Sequence, residues 1–224
     1  MKREVLPEIL DSLPENDPEA ISNRKDLHRI NILMGNYRWI VNQIVRHRKN
    51  CERILELGAG TGELGKFLYQ ENPRLSEYTG LDLISKPSSW PSEWLWWKGD
   101  IMDFREWEHY QVCVVNLFLH HLDDCELRKL GEKLKGFRVI IAGELIRRPI
   151  FQKLLKLTRI WGAGQVTLHD GHVSIQAGFI EKELPQLLGL DENLWQVVIK
   201  QSLLGSYRML AVKKEMLTSS GLSK

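Results

Sequence analysis

The stretch Arg53-Ile54-Leu55-Glu56-Leu57-Gly58-Ala59-Gly60-Thr61-Gly62-Glu63-Leu64-Gly65 decides how the chain is read. An apolar run broken by one acid leads into three glycines spaced two apart, and then into apolar residues at helical spacing. That pattern is a strand, a tight turn and a helix start. Glycine lets the backbone take left-handed angles and lets a ligand come close. The bare amides of a helix start attract a polar or anionic group. The stretch predicts a nucleotide or nucleoside site, and the question is which one.

Outward from it, strand patterns alternate with helical ones. Strands are expected over residues 53–57, 78–83, 94–98, 111–116 and 137–143, with helices over 62–71 and 123–135. Such alternation means right-handed crossovers and a parallel sheet covered on both faces. Next come a helix over 150–158, an irregular Gly-rich stretch over 161–178 and a short helix over 181–188. Two strand patterns, 195–201 and 206–212, are joined by a short link containing Gly205, which reads as an antiparallel pair. Upstream, residues 1–24 read as an irregular arm with one short helix, followed by helices over 26–34 and 37–48. The expected fold is α/β and Rossmann-like. It has a seven-stranded, mostly parallel sheet with a C-terminal antiparallel pair, helices on both faces and a helical N-terminal extension. Residues 1–50 are expected to form a helical arm or lid, 51–213 the ligand-binding domain and 214–224 a flexible tail.

The bulk composition narrows the class. The 31 basic and 29 acidic residues nearly cancel, which argues against a protein that lives on nucleic acid. Cys51, Cys113 and Cys125 are odd in number and form no CxxC pair, so reduced thiols in a cytoplasmic protein are expected. The first ten residues hold no apolar signal region, and no run of about 18 apolar residues predicts a membrane span.

Two ligands compete for the glycine turn. Gly60-Thr61-Gly62-Glu63-Leu64-Gly65 fits the dinucleotide pattern G-x-G-x-x-G, and Asp82 stands about where a ribose-binding acid belongs. Against an NAD-linked oxidoreductase, the first glycine after the strand is Gly58, so the frame starts late. Glu56 would also face a pyrophosphate with the wrong sign. S-adenosylmethionine, whose amino acid end carries an ammonium group, suits Glu56 better. Backbone amides around Gly58, Ala59, Gly60 and Gly62 suit its sugar and methionyl part. Asp82, with Leu83 beside it, can accept both ribose hydroxyls, because an ionised carboxylate is an acceptor only. Asp100 can accept from the adenine amino group while Ile101 packs on the ring.

Here the residues carry a resemblance. Glu56 to Gly62, then Gly80-Leu81-Asp82, then Gly99-Asp100-Ile101, then Val115-Asn116-Leu117-Phe118-Leu119-His120-His121-Leu122 resemble the successive motifs of the class I S-adenosylmethionine-dependent methyltransferases. The resemblance covers about residues 51–213. His28 to Gly35 is similar to the helical entry of the ubiquinone- and menaquinone-type methyltransferases, and His169-Asp170-Gly171 resembles small bacterial methyltransferases of polyketide or terpenoid pathways. It implies methyl transfer, S-adenosylhomocysteine as product, and Asn116 near the sulfonium.

The resemblance also implies that the acceptor sits over the loop after the fourth strand. Amino-methyltransferases of nucleic acids carry Asn/Asp-Pro-Pro-aromatic there, whereas this chain has Asn116-Leu117-Phe118-Leu119. Cys113 and Cys125 lack the Pro-Cys context of cytosine C5 enzymes. The expected acceptor is a small aromatic, quinone-like or polyketide-derived molecule methylated on oxygen or carbon. Enzymes acting on RNA or protein, or a binding module without turnover, are the alternatives. His120, His121 and His169 are candidate general bases, with pKa values already near neutral. Asp170 would orient His169. Arg29, Asn31, Phe118 and Arg148 are candidate acceptor contacts. Glu144 and Arg147 are a possible clamp or solvated helix-start charges, and Trp97 can flank the adenine. No metal is expected, because adjacent histidines point apart and no carboxylate spacing completes a shell.

Overall fold

The structure is a computed structural model and describes residues 1–48, 52–72, 75, 77–157 and 164–215. Among these, seven strands form one sheet: β1 (Ile54–Leu57), β2 (Tyr78–Asp82), β3 (Leu95–Lys98), β4 (Val112–Asn116), β5 (Val139–Leu145), β6 (Trp195–Gln201) and β7 (Ser206–Lys213). The order is β3-β2-β1-β4-β5-β7-β6. The first five run parallel, and β7 lies antiparallel to both β5 and β6. This is the expected architecture.

Alternation along each strand builds two cores. Leu55 and Leu57 of β1, with Cys113 and Val115 of β4, pack beneath α5 (Asp124–Leu134) and α8 (Glu183–Leu187). Ile54, Val112 and Val114 face the other way, against α3 (Asn36–His47) and α4 (Glu63–Glu71). α5 starts on a reciprocal cap: Asp123 accepts the N–H groups of Cys125 and Glu126, and Glu126 accepts the N–H of Asp123. β1 and β4 sit side by side at the centre of the sheet, and the chain leaves their carboxyl ends in opposite directions. That switch point opens a crevice above Glu56 and Asn116.

Three expectations need correction. The first long helix, α2, spans Pro18–Met34 rather than starting at 26. Asp17 caps it through the amides of Glu19 and Ala20, and proline occupies the first turn, where no N–H is needed. β5 continues past Gly143 to Leu145, pairing Glu144 with Tyr207 and Leu145 with Ser206. The stretch read as irregular contains a thirteen-residue helix, α7 (Gln165–Ala177). It lacks a clean apolar stripe because it is covered from several sides. α1 (Ile9–Ser12) and α2 lie on one flank, and α6 (Pro149–Leu157) on another. Its buried polar residues have distant partners. Thr167 donates to Asp26 at 3.0 Å, and Asp170 accepts the N–H groups of Ile9 and Leu10 at 2.8 and 3.0 Å. Ser174 bonds Glu8.

These contacts pin the arm over 1–13 across the molecule. Arg3 adds bonds to the carbonyls of Leu122 and Ala177 and to the Asp124 carboxylate, and stacks on Phe179. Cys51, Pro73 and the tail from 216 onward lie outside the described residues. Cys113 is a buried free thiol and Cys125 an exposed one. No described helix is long and apolar enough to cross a membrane.

Candidate functional site

A cleft of about 560 Å³ opens over the carboxyl ends of β1, β2 and β4, roofed by the arm and α2. Glu56, Gly58, Ala59, Gly60, Asp82, Leu83, Asp100, Ile101 and Asn116 all line it, as do Asn31, Phe118 and His121. Gly62, Arg29, Arg148, His120 and His169 are not among its lining residues.

The glycine turn is shaped by aromatic rings of the same chain. Gly58, Gly60 and Gly62 all take positive φ, which side chains rarely adopt. A Cβ on Gly58 would fall 2.3 Å from the Phe118 ring, and one on Gly62 2.8 Å from Trp90. Gly60 alone of the three faces open space. Its N–H donates to Asp82 Oδ2 at 2.7 Å, and the N–H of Ile84 donates to Oδ1 at 3.1 Å. The Asp82 carboxylate is thereby fixed at the mouth of the turn, with lone pairs left over for a ligand.

Glu56 lies at the floor, 2 % exposed, accepting one hydrogen bond from the Tyr78 hydroxyl at 2.8 Å. Burial pushes its carboxyl pKa up to about 8, with Asp82 adding repulsion against the Tyr78 bond. Asp100 caps its own loop through the N–H of Met102. Asn116 Oδ1 is buried with no hydrogen-bond partner. Leu117 follows at φ 53, a left-handed angle that strains a non-glycine residue and aims the next turn into the cleft.

That turn, a 3₁₀ segment over Leu119–His121, hangs on Glu144. Glu144 is fully buried and accepts the N–H groups of Phe118 and Leu119 at 2.9 and 2.7 Å. Its second oxygen lies 2.7 Å from His120 Nδ1. His120 is buried, with Nε2 3.6 Å from Glu8 Oε1. Burial alone would lower its pKa, but Glu144 and Glu8 outweigh burial and raise it to about 9. Glu8 is held below the usual carboxylate range by His120, His121 and Ser174, against its own burial. The two imidazoles do not diverge: their centroids are 4.4 Å apart and their planes 33° apart. The carboxylate that joins them comes from the arm, more than a hundred residues upstream, where no local spacing announces it.

Other candidates are engaged elsewhere. His169 and His172 sit on α7, not on a loop; His169 is half exposed and bonds Asp170, whose carboxylate is committed to the arm amides. Arg29 is exposed and pairs with Asp26. Arg148 reaches Gln201 on the surface. Arg147 is neither a clamp nor solvated. It is buried and ties the carbonyls of Met1 and Gly178 to Glu183. Trp97 packs on Gly99 and edge-on to Phe104 instead of lining the cleft. Trp94 is core, its indole donating to the Leu75 carbonyl at 2.8 Å. Sequence reasoning passed over Glu8, Asp11 and Tyr78. None belongs to a recognisable motif, and each acts through a partner distant in sequence.

No protein-family model and no curated protein matches this chain. Solved structures do. The plantazolicin methyltransferase BpumL in complex with SAH superposes with a TM-score of 0.70 at 13% identity, over 91% of this chain and 92% of that one. BpumL has also been solved with a monoazolic desmethylPZN analog and SAH. An O-methyltransferase family protein from Burkholderia thailandensis gives a TM-score of 0.57 at 14% identity, over 82% of this chain and 57% of that one. The pyocyanin biosynthetic protein PhzM gives 0.51 at 18% identity, over 77% of this chain and 54% of that one. At these identities the likeness is one of fold alone, and the seven-stranded Rossmann-like fold of this chain is what these structures share with it.

Proposed function

We propose that the protein is an S-adenosylmethionine-dependent methyltransferase that transfers a methyl group to oxygen or carbon of a small aromatic, quinone-like or polyketide-derived acceptor. The observation that carries this reading is the convergence of Glu56, Asp82 and Asp100, from the ends of three neighbouring strands, on one cleft around the open face of Gly60. The sign of the cleft agrees. Seven carboxylates besides the Glu56 carboxyl line it against one arginine, Arg24, which suits a sulfonium and ammonium ligand and opposes the pyrophosphate of NAD or a nucleic-acid backbone. The neighbour BpumL is solved with SAH in the same fold.

The residues fit the cofactor. Glu56 would take its ammonium group, Asp82 its ribose hydroxyls and Asp100 the adenine amino group, with Leu83 and Ile101 against the ring. Asn116 has an unpartnered buried oxygen to offer a donor. The bound cofactor supplies an electrophilic methyl on sulfur, so the hard chemistry is its own. This chain's residues orient, dry the site and take a proton. Phe118, on its strained turn, closes the apolar wall next to Gly58. His121 Nε2, at the acceptor end near Glu8, takes the proton that the acceptor loses. The arm and α2 exclude water above the reacting atoms. We place the protein in the cytoplasm, with residues 1–50 acting as the lid of the domain over 51–213.

Calorimetric titration with S-adenosylhomocysteine and with NAD tests the reading. Binding of the first and not of the second is expected, and the reverse would overturn it. A methyl-transfer screen over phenolic and quinol acceptors then identifies the second substrate.

A further inference from the structure

Methyl transfer needs one base at the acceptor end, yet the structure gathers more there. Glu8 Oε1 lies 3.6 Å from His120 Nε2 and 3.9 Å from His121 Nε2. These separations exceed an N–H···O hydrogen bond. They are close to the edge of a coordination shell: two ligands about 2.0–2.1 Å from a tetrahedral zinc ion stand roughly 3.4 Å apart. One ligand atom from each of the three residues lies within 4.8 Å of the others.

The far side of each ring supplies the second observation. His120 Nδ1 is 2.7 Å from Glu144 Oε2, and His121 Nδ1 is 3.6 Å from Asp11 Oδ2. His120 thus has a hydrogen-bonded carboxylate behind Nδ1 and His121 has one at ion-pair range, while each Nε2 lies on the side of Glu8. Metal-bound histidines are held by such outer partners, as His120 is held by Glu144. Glu8 and His120 are buried, so the group is a built site rather than a solvated acidic patch. Glu8, Glu144 and Asp11 together supply the negative charge that a desolvated dication requires.

We propose that Glu8, His120 and His121 form a divalent-cation site of the zinc type at the acceptor end of the cleft. Three protein ligands leave a fourth position, and because Glu8 and His121 line the cleft it opens there. A two-imidazole, one-carboxylate set selects zinc, cobalt or iron(II) over magnesium. The ion's use in catalysis rests on the methyltransferase reading. An acceptor hydroxyl would take the open position, and the ion would lower its pKa so that its proton would pass to water at the mouth of the cleft. His121 Nε2 would then be spent on the cation, and solvent water in its place would take the proton of the acidified hydroxyl. The arm becomes part of the active site, because it carries one of the three ligands.

The test uses full-length protein dialysed against a chelator. Cobalt(II) is titrated and its visible absorption followed, and zinc and magnesium are titrated by calorimetry. One equivalent of cobalt with the intense band of a tetrahedral site is expected, with zinc bound at least a hundredfold more tightly than magnesium. His121→Asn changes a partly exposed side chain and should weaken zinc binding at least tenfold. Glu8→Gln should do the same, with protection of the Ile9 and Leu10 amides from hydrogen exchange reporting whether the arm stays docked. Wild-type protein that takes up no stoichiometric cobalt, or zinc affinity unchanged in His121→Asn, overturns the site. S-adenosylhomocysteine titrated into the same samples separates the two proposals: its failure to bind refutes the methyltransferase reading and leaves the cation result standing.

Discussion

Cofactor binding should release a proton from Glu56. Its carboxyl is buried beneath the turn, with one neutral donor from Tyr78 and Asp82 nearby, and its pKa stands at about 8 instead of 4.5. At pH 7 the empty site therefore holds a neutral carboxyl in about nine molecules of ten. Ionising it for the ligand's ammonium costs about 1.4 kcal/mol at that pH, one pKa unit's worth. The affinity for S-adenosylhomocysteine should accordingly rise about tenfold from pH 6 to pH 7, and about 0.9 proton should be released per ligand bound at pH 7. Calorimetry in two buffers of different ionisation enthalpy reads the proton directly. Folding carries the opposite sign. A carboxyl whose pKa is raised on folding contributes stability below the unfolded value of 4.5 and loses it as pH climbs through about 8, up to roughly 5 kcal/mol in the ligand-free protein. Glu56→Gln should abolish the proton release, flatten the pH dependence of binding and remove this loss of stability between pH 4.5 and about 8. Wild-type protein that binds with no proton exchanged and with equal affinity at pH 6 and 7 would refute the assignment.

Asp82→Ala removes the acceptor of the Gly60 and Ile84 amides along with the expected ribose contact. It should weaken S-adenosylhomocysteine binding on the order of a hundredfold in calorimetry, as loss of charged hydrogen bonds of about 1.5–3 kcal/mol requires. Gly58→Ala drives a Cβ into the Phe118 ring at positive φ, and chemical denaturation should show a loss of at least 2 kcal/mol. Gly60→Ala meets no neighbour and should cost only its φ strain, about 1 kcal/mol, while impairing ligand binding. Asp170→Ala leaves the amides of Ile9 and Leu10 without their acceptor, so those two amides should exchange with deuterium much faster and the protein should lose about 2–3 kcal/mol.

Much of the sheet was legible because its signal is local. β1 to β5 are short runs rich in apolar residues that stand out from their immediate neighbours in the chain. The site acids could be read for the same reason: Glu56 breaks the apolar run of β1, Asp82 ends β2 and Asp100 follows β3 after Gly99. What escaped depends on contacts made across the chain. α7 hid its helical pattern because Thr167, Asp170 and Ser174 are buried against Asp26, the amides of Ile9 and Leu10, and Glu8. The start of α2 at Asp17-Pro18 was readable, an acid cap before proline, but the surrounding charges and prolines disguised it as coil. Glu144 looked like a solvated charge after a strand because nothing local reveals that its carboxylate carries the backbone of the site turn after β4.

A pattern of glycines is usually taken as the imprint of a ligand. Here it is mostly the imprint of indole and phenyl rings. A Cβ on Gly65 would fall 2.4 Å from Trp90, one on Gly80 2.7 Å from Trp96, and Gly58 and Gly62 are closed by Phe118 and Trp90. Only Gly60 of this group is vacant toward the cleft. Replacing Trp90 with a smaller residue would free Gly65 to vary without touching the ligand, while Gly62 would still be held to glycine by its φ of 75. A fingerprint search built on glycine spacing therefore scores this protein's aromatic packing together with its chemistry, and a relative with different tryptophans could keep the activity and lose the fingerprint.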